Sequence, residues 1–393
     1  MNKIVFLGYV VDLMEIKNMT GVSIAGNKMQ WNVIKHLSAL GYNIDCVTVA
    51  PVAIFPNDKT VYHKKQVTQL LLKVKSTKIG FWNLPFIKQI HQISQVYREA
   101  KKILKLNPNA TLLCYNLFPQ IGVPMRRLKK KFPTCKTVCL LADLPIDDNT
   151  NRKGFSKFLR KKFDASTWKS ISCCDNFIVL NEYVAKRYLE GKSYIVVDGG
   201  VAEDEIMPYR WIPNTKKNIL FCGALTEYNG ILNLLKAMDL LKNEEITLDI
   251  YGGGYLEQEV KYFADKHPNI IYHGKVSNKE VMQKQREAWL LINPRIKDDP
   301  IAQLTFPSKT FEYMLSGTPI LSTRLNGYSE KYNDKMFFTE DTPSEIANSI
   351  QKIAQLSDTE LQEISQRAYT FIVNERTWKK QTKKISEFLS SDI

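Results

Sequence analysis

The stretch NILFCGALTEYNGILNLLKAMDLLKNEEITLDIYGGGYLEQEV (218–260) decides the fold. It opens on an apolar run that ends at Gly223, crosses a polar turn and continues in helical periodicity over 230–242. A second apolar run, ITLDIYG, follows, and a second helical pattern covers 255–266. Short apolar runs alternating with helices pair as parallel strands, with the helices covering both faces. The pattern extends outward: NIIYHGKV, a helix over 278–287, AWLLINP, a helix over 308–316, then TPILST. Residues 342–390 read as helical throughout. Toward the N-terminus, KIVFLGYV, the loop MTGVSIAGN, a helix from Asn27 to a stop at Gly41, and NIDCVTVA make a βαβ unit. TLLCYNLF and TVCLLAD are further buried strands, and Ile90, Ile93, Tyr97, Ala100 and Leu104 form a helical stripe. Between the halves, 203–217 holds two prolines and mixed charge without periodicity. The expected fold is α/β: two doubly wound Rossmann-like domains facing a central cleft, with C-terminal helices. The expected domains are 1–207, 208–376 and a terminal helix over 377–393 that can cross back to the first.

Composition narrows the function. The 393 residues include 55 Lys+Arg and 40 Asp+Glu, a net charge of +15. Residues 1–200 carry 31 cations against 13 acids, whereas 201–393 carry 24 against 27. A basic half suits an anionic membrane, nucleic acid or phosphorylated ligands. The seven cysteines are odd in number and lie mostly in apolar runs, and the five histidines are scattered. Free buried thiols are therefore expected, with no disulfide framework and no metal. The N-terminal apolar run meets Asp12 too early for a signal peptide, and no run approaches the roughly 18 apolar residues of a spanning helix. A cytoplasmic protein, able to lie on a membrane, is expected.

Five places could carry chemistry. In FPSKTFEYMLSGTPIL (306–321), Ser308 is placed as an N-cap and Gly317 as a stop. Lys309 there opposes the helix dipole, which makes sense if it neutralises a phosphate, and Glu312 shares its face and could accept from a vicinal diol. The alternative is a solvated Lys–Glu pair. Arg295 follows a buried run and suits bidentate phosphate binding, against an ion pair with Asp298 or Asp299. Gly252, Gly253 and Gly254 let backbone approach a ligand, or simply make a tight strand–helix turn. Asp143 ends a strand and could hold a substrate hydroxyl or move a proton, or could cap a turn. Gly26, in the loop SIAGN, opens a helix N-terminus. Two further segments mix aromatics with cations. They are GFWNLPFIKQI (80–90), with Trp82 and Phe86, and GFSKFLRKKF (154–163), with Arg160, Lys161 and Lys162. The second places Phe155, Phe158, Leu159 and Phe163 on one helical face. Such segments suit interfacial binding, or are a solvated basic face with its aromatics in the core.

Together these motifs resemble glycosyltransferase family 4, with its GT-B fold. The likeness rests on IAGN before the first helix, Gly223 after a strand, IYGGG before a helix, the strand ending in His273-Gly274, and the helix after FPSK. That helix resembles the nucleotide-binding helix of bacterial polysaccharide-assembly members. The resemblance implies a nucleotide-sugar donor, expected to be UDP-linked, held by the second domain through Gly223, Gly253, Gly254, Arg295, Ser308, Lys309 and Glu312; Gly26 of the first domain is expected to touch the donor too, from the acceptor side near Asp143. It implies an acceptor on the first domain, expected to be a lipid-linked saccharide, with Asp143, Arg295 and Lys309 catalytic. Trp82, Phe86, Arg160, Lys161 and Lys162 would meet the acceptor or an anionic membrane at its inner face. No metal or other cofactor is implied, the anomeric configuration is retained, and nucleic acid is not an expected partner. In the family's pattern of two glutamates, the second maps to Glu312 but the first falls on Leu304. The usual cations near the first strand of the second domain fall on Ala224 and Asn229, so Arg295 and Lys309 are expected to replace them. The rival readings are a sugar-nucleotide epimerase of the same fold, an NAD-dependent oxidoreductase, and a non-enzymatic membrane or nucleic-acid binder. An inactive relative of the transferases is a further alternative.

Overall fold

A computed structural model describes residues 3–12, 15–16, 21, 23–145, 154–213 and 216–391; the side chains of Phe155 and Ser156, and with them the expected place of Phe155, lie outside the description. The chain divides into two compact units: 1–198 with 378–393, and 199–377.

Unit 1 runs β1 (Lys3–Gly8), α1 (Ile24–Ala39), β2 (Asn43–Thr48), β3 (Tyr62–His63), β4 (Gln66–Leu71), β5 (Val74–Lys78), β6 (Phe81–Trp82), α2 (Ile87–Leu106), β7 (Thr111–Tyr115), α3 (Pro119–Lys131), β8 (Thr137–Leu141), α4 (Gly154–Cys173), β9 (Asn176–Val179), α5 (Glu182–Tyr188) and β10 (Ser193–Val196). Its main sheet has the order β10-β9-β8-β7-β1-β2-β5-β4, parallel except for β4 against β5. The inner strands are buried on both faces, so β1 and β8 read as continuous apolar runs. Between 50 and 82 the sequence showed no period, because the strands there are short and at an edge: β4 is exposed at four of its six positions. The small antiparallel pair β3–β6 joins Tyr62 to Trp82.

Unit 2 holds β11 (Lys217–Ala224), α6 (Ile231–Leu240), β12 (Ile246–Gly253), α7 (Glu257–Lys266), β13 (Ile270–Gly274), α8 (Asn278–Glu287), β14 (Leu290–Asn293), α9 (Pro300–Leu304), α10 (Lys309–Ser316), β15 (Ile320–Thr323), β16 (Phe337–Thr339), α11 (Pro343–Ile353) and α12 (Asp358–Glu375). The sheet order is β13-β12-β11-β14-β15-β16, all parallel. One core cluster joins Ile219 and Phe221 of β11 to Leu234 and Met238 of α6 and Ile346 and Ile350 of α11. Each such side chain contributes about 1.5–3 kcal/mol by leaving water.

The C-terminal stretch read as one helical region is three helices, the last being α13 (Trp378–Ser390). Thr342 caps its start and Ser357 caps the helix after its first break, their hydroxyls accepting from the Glu345 and Glu360 amides. α13 belongs to unit 1, where it packs on α1. The Tyr42 hydroxyl reaches the Ser386 carbonyl at 3.2 Å, and Lys136 Nζ donates to the Ser391 carbonyl at 3.0 Å. All seven cysteines are free; Cys173 departs from expectation in being exposed, at the end of α4. Among the described residues no helix is long and apolar enough to cross a membrane.

Candidate functional site

In a doubly wound sheet, ligands bind beyond the carboxyl ends of the strands, where the strand order reverses. In unit 2 that point lies between β11 and β14. The loop after β14 carries Arg295. Its guanidinium lies 5.7 Å from the centre of the Tyr228 ring, and its Nη1 is 3.5 Å from the Thr305 hydroxyl. Its Nε is buried with no hydrogen-bond partner among the described residues. Burial lowers its affinity for the proton. The ion pair that would have made Arg295 a surface residue is not formed with Asp299: that carboxylate caps α9, accepting from the Ile301 and Ala302 amides.

Lys309 opens α10 and turns back toward the sheet, donating from Nζ to the Cys222 carbonyl at the end of β11. Burial pushes its pKa below the usual lysine value. The charge of Glu312, one turn on, opposes that shift, and the charge of Arg295 adds to it. The two cations are carried beyond neighbouring strands, β11 and β14, at the point where the order reverses. A group of opposite charge placed between them would relieve both.

Glycine makes the room. A Cβ on Gly223 would lie 2.5 Å from Lys309 Nζ. Across the ladder, Gly252 pairs with Gly223 and has φ +143°, and a Cβ there would come within 1.8 Å of the Gly223 carbonyl. Gly253 lies against the Lys275 side chain and Gly254 against the Leu225 carbonyl. Of the triplet, only Gly252 has positive φ. Beyond it, α7 begins with Glu257 and Glu259 in its first turn, which complement its dipole.

Ser308 stands at the cap position of α10 with helical dihedrals, and its side chain makes no capping bond. It is exposed, and Glu312 is half-buried. Gly317 ends the helix at φ +79° as expected. Leu304 is 8 % exposed and packs in the interior. Asn229 is structural: its Nδ2 donates to the Ala224 carbonyl at 2.8 Å and the Thr226 hydroxyl at 3.0 Å.

In unit 1 the order reverses between β1 and β7. A cavity of about 320 Å³ opens there, and both Gly26 and Asp143 line it. Ser23 caps α1, its hydroxyl accepting from the Gly26 amide at 3.2 Å. Gly26 has no room for a side chain, since a Cβ would lie 2.7 Å from the Tyr115 hydroxyl. Asp143 is held by Asn116, a residue the sequence did not single out. Asn116 Oδ1 accepts from the amides of Ala142 and Asp143 at 2.8 and 2.9 Å, and its Nδ2 donates to Asp143 Oδ2 at 2.8 Å. Its backbone is left-handed, at φ +52°. Asp143 keeps exposed surface, yet the cavity walls desolvate its carboxyl and raise its pKa, against the pull of the Asn116 bond. The one legible sign of Asn116 was an asparagine directly after an apolar strand.

The aromatic and basic segments are at the surface in part. Trp82 is 47 % exposed and Phe86 70 %, with Ile87 and Ile90 exposed beside them on α2. Lys88 turns the other way, donating to the carbonyls of Val52 and Ala53 at 2.6 and 3.2 Å, so it is no surface cation. On α4, Phe158 and Leu159 are exposed, whereas Phe163 lines the cavity. Lys161 is exposed, Lys162 lies over the Phe158 ring at 4.5 Å, and Arg160 pairs with Asp164 at 3.0 Å.

Residues 216–355 match the family described as Glycosyl transferases group 1. Three solved structures are similar to the chain over nearly its whole length. Sucrose-phosphate synthase from Thermosynechococcus elongatus has a TM-score of 0.68 at 13 % identity, covering 99 % of this chain and 98 % of that one. The Anabaena protein Alr3699/HepE, solved with UDP and glucose, has a TM-score of 0.64 at 15 % identity, covering 100 % of both chains. The structure described as trehalose-6-phosphate from E. coli bound with UDP-2-fluoro glucose has a TM-score of 0.67 at 10 % identity over 100 % of both chains. No curated protein matches the chain in sequence. The chain has the GT-B fold of two Rossmann-like domains, and the match to glycosyl transferases group 1 lies within its second unit.

Proposed function

We propose that the protein is a glycosyltransferase that moves a sugar from a UDP-linked donor to a hydroxyl of a lipid-linked saccharide, with retention of the anomeric configuration, in the assembly of a cell-surface polysaccharide. One observation carries the donor side: the Lys309 ammonium lies at Gly223 near the end of β11, and Arg295, its Nε buried without a partner among the described residues, follows β14, the strand paired with β11. The group 1 match over 216–355 and the UDP held by the Anabaena neighbour support the same reading.

The chemistry follows from charge. Breaking the bond between the anomeric carbon and the diphosphate oxygen sends the electron pair to that oxygen. The acceptor oxygen bonds to the anomeric carbon and passes its proton to the Asp143 carboxylate. Arg295 and Lys309 stabilise the negative charge that builds on the leaving diphosphate. The negative charge of an arriving diphosphate opposes the effect of burial on Lys309 and favours its ammonium form. Glu312 accepts from the donor ribose hydroxyls. Gly253, Gly254 and Ser308 lie at neighbouring loop and helix ends of the same unit, and Asp143 and Gly26 serve the acceptor in unit 1. Neither sugar nor acceptor is held through a metal.

The acceptor's lipid brings the protein to the inner face of the cell membrane. Exposed Trp82 and Phe86 on one segment, and Phe158, Lys161 and Lys162 on another, support this docking.

Steady-state kinetics with a panel of UDP-sugars test the reading. Glu312→Ala should raise the donor KM with little change in kcat, and Lys309→Ala should lower kcat by about tenfold to a hundredfold. Full turnover in the Lys309 variant, or donor kinetics unchanged by loss of Glu312, would remove the assigned roles.

A further inference from the structure

The cavity of unit 1 is lined by groups that differ in kind from those of unit 2. Around Arg295 and Lys309, unit 2 gathers cations. The 320 Å³ cavity gathers neutral amides and phenols, one carboxylate and two aromatic rings. Several of its polar groups are already committed. Gln30 accepts from the Tyr9 amide and donates to the Gly26 carbonyl, and Asn27 does the same for both backbone groups of Val11. Lys88, the cavity's one lysine, spends its ammonium on two backbone carbonyls. The Ser23 hydroxyl already supplies an oxygen to the N-terminus of α1.

Other groups remain to be used. Gln120 Oε1 is buried with no partner among the described residues. Asp143 has one oxygen bonded to Asn116, which leaves the second oriented by that clasp. Tyr9 is half-buried and Tyr115 buried, and desolvation raises the pKa of both phenols. Each can both donate and accept. Phe118 and Phe163 stand side by side, ring centres 5.6 Å apart, as an apolar wall.

This set fits a polyol. A sugar ring offers hydroxyls that donate to a carboxylate and an amide oxygen, and a C–H face that lies on aromatic carbon. It does not fit a phosphate, which needs uncommitted cations and would meet the Asp143 charge. The cavity volume is at the small end for ligand pockets and suits one ring. We infer that the cavity of unit 1 is a subsite for a single uncharged sugar ring of the acceptor, held by Asp143 and Gln120 against Phe118 and Phe163, and that any acceptor phosphate lies outside it. The word acceptor rests on the transferase reading above; the sugar-ring chemistry rests on the cavity alone.

Saturation-transfer NMR on the full chain tests this, using methyl hexopyranosides of glucose, galactose, mannose and N-acetylglucosamine, with glycerol 3-phosphate as the anionic probe. UDP affinity is measured in parallel. At least one methyl hexopyranoside should give saturation transfer, and glycerol 3-phosphate none. Asp143→Ala should weaken the hexoside by about tenfold or more, and Gln120→Leu should weaken it as well. Both variants should keep the UDP affinity of the wild type, which shows that they fold. Binding of glycerol 3-phosphate in preference to every hexoside would overturn the inference, as would silence from all four hexosides or hexoside binding unchanged in both variants. Hexoside binding with no UDP binding would uphold the cavity and overturn the transferase reading instead.

Discussion

Two residues show how far a side chain's neighbours decide its part. Position alone singled out Lys309, because a lysine in the first turn of a helix is misplaced against the dipole. The structure adds where its charge goes: back to the Cys222 carbonyl, beside Gly223. Asn116 was not readable, because its partner Asp143 lies 27 residues away and meets it only through the parallel pairing of β7 and β8. At this scale the account makes a signed pH prediction. Burial raises the Asp143 pKa, and the Asn116 bond, which favours the carboxylate, holds it down. Asn116→Ala removes the opposing contribution, so the acid limb of kcat/KM should move to higher pH. A general loss of packing would lower the plateau without moving the limb. A limb that stays in place would show that Asn116 does not position Asp143 for the reaction.

At the scale of elements, sequence periodicity served well where strands are buried on both faces and helices are long. Strand β11 and helices α6, α8 and α10 fall within two residues of their expected bounds. It failed at the edge of the first sheet, where β4 is mostly exposed and carries no apolar run. It also merged α11, α12 and α13, since a capped break of a few residues leaves the helical pattern nearly intact. The expected N-cap at Ser308 makes no capping bond, and Ser308 stays exposed at the start of α10. The start of α2 and the outer face of α4 show a further limit. The sequence identified mixed aromatics and cations there, but only the structure separates Phe158, which is exposed, from Phe163, which is not. These surfaces predict membrane docking, with each exposed cation near an anionic surface contributing about 1 kcal/mol. In vesicle flotation at physiological salt, the protein should rise with phosphatidylglycerol vesicles and not with phosphatidylcholine alone. The pair Trp82→Ser and Phe86→Ser should reduce that fraction. A protein that stays at the bottom with anionic vesicles contradicts the docking.

For the whole molecule, the lopsided charge and the two switch points tell one story. The second unit has no surplus of cations over its sequence, and the anion site proposed for it needs none, since two cations and a set of glycines would build it. The first unit carries the surplus, yet its cavity is nearly free of usable cations, so that charge belongs to its surface. Domain number and the parallel architecture were legible because alternation of strands and helices is a property of the chain. The contents of the cavity were not, because they come from β1, α1, α2, β7, α3 and α4 together. The claim on which the rest depends is that unit 2 binds the diphosphate of a nucleotide through Arg295 and Lys309. Titration calorimetry of the full chain with UDP tests it most directly. The account predicts saturable binding to one site, weakened about tenfold to a hundredfold by Arg295→Ala and by Lys309→Ala, as loss of a charge-assisted hydrogen bond implies. Absence of UDP binding, or binding that both substitutions leave unchanged, would contradict it.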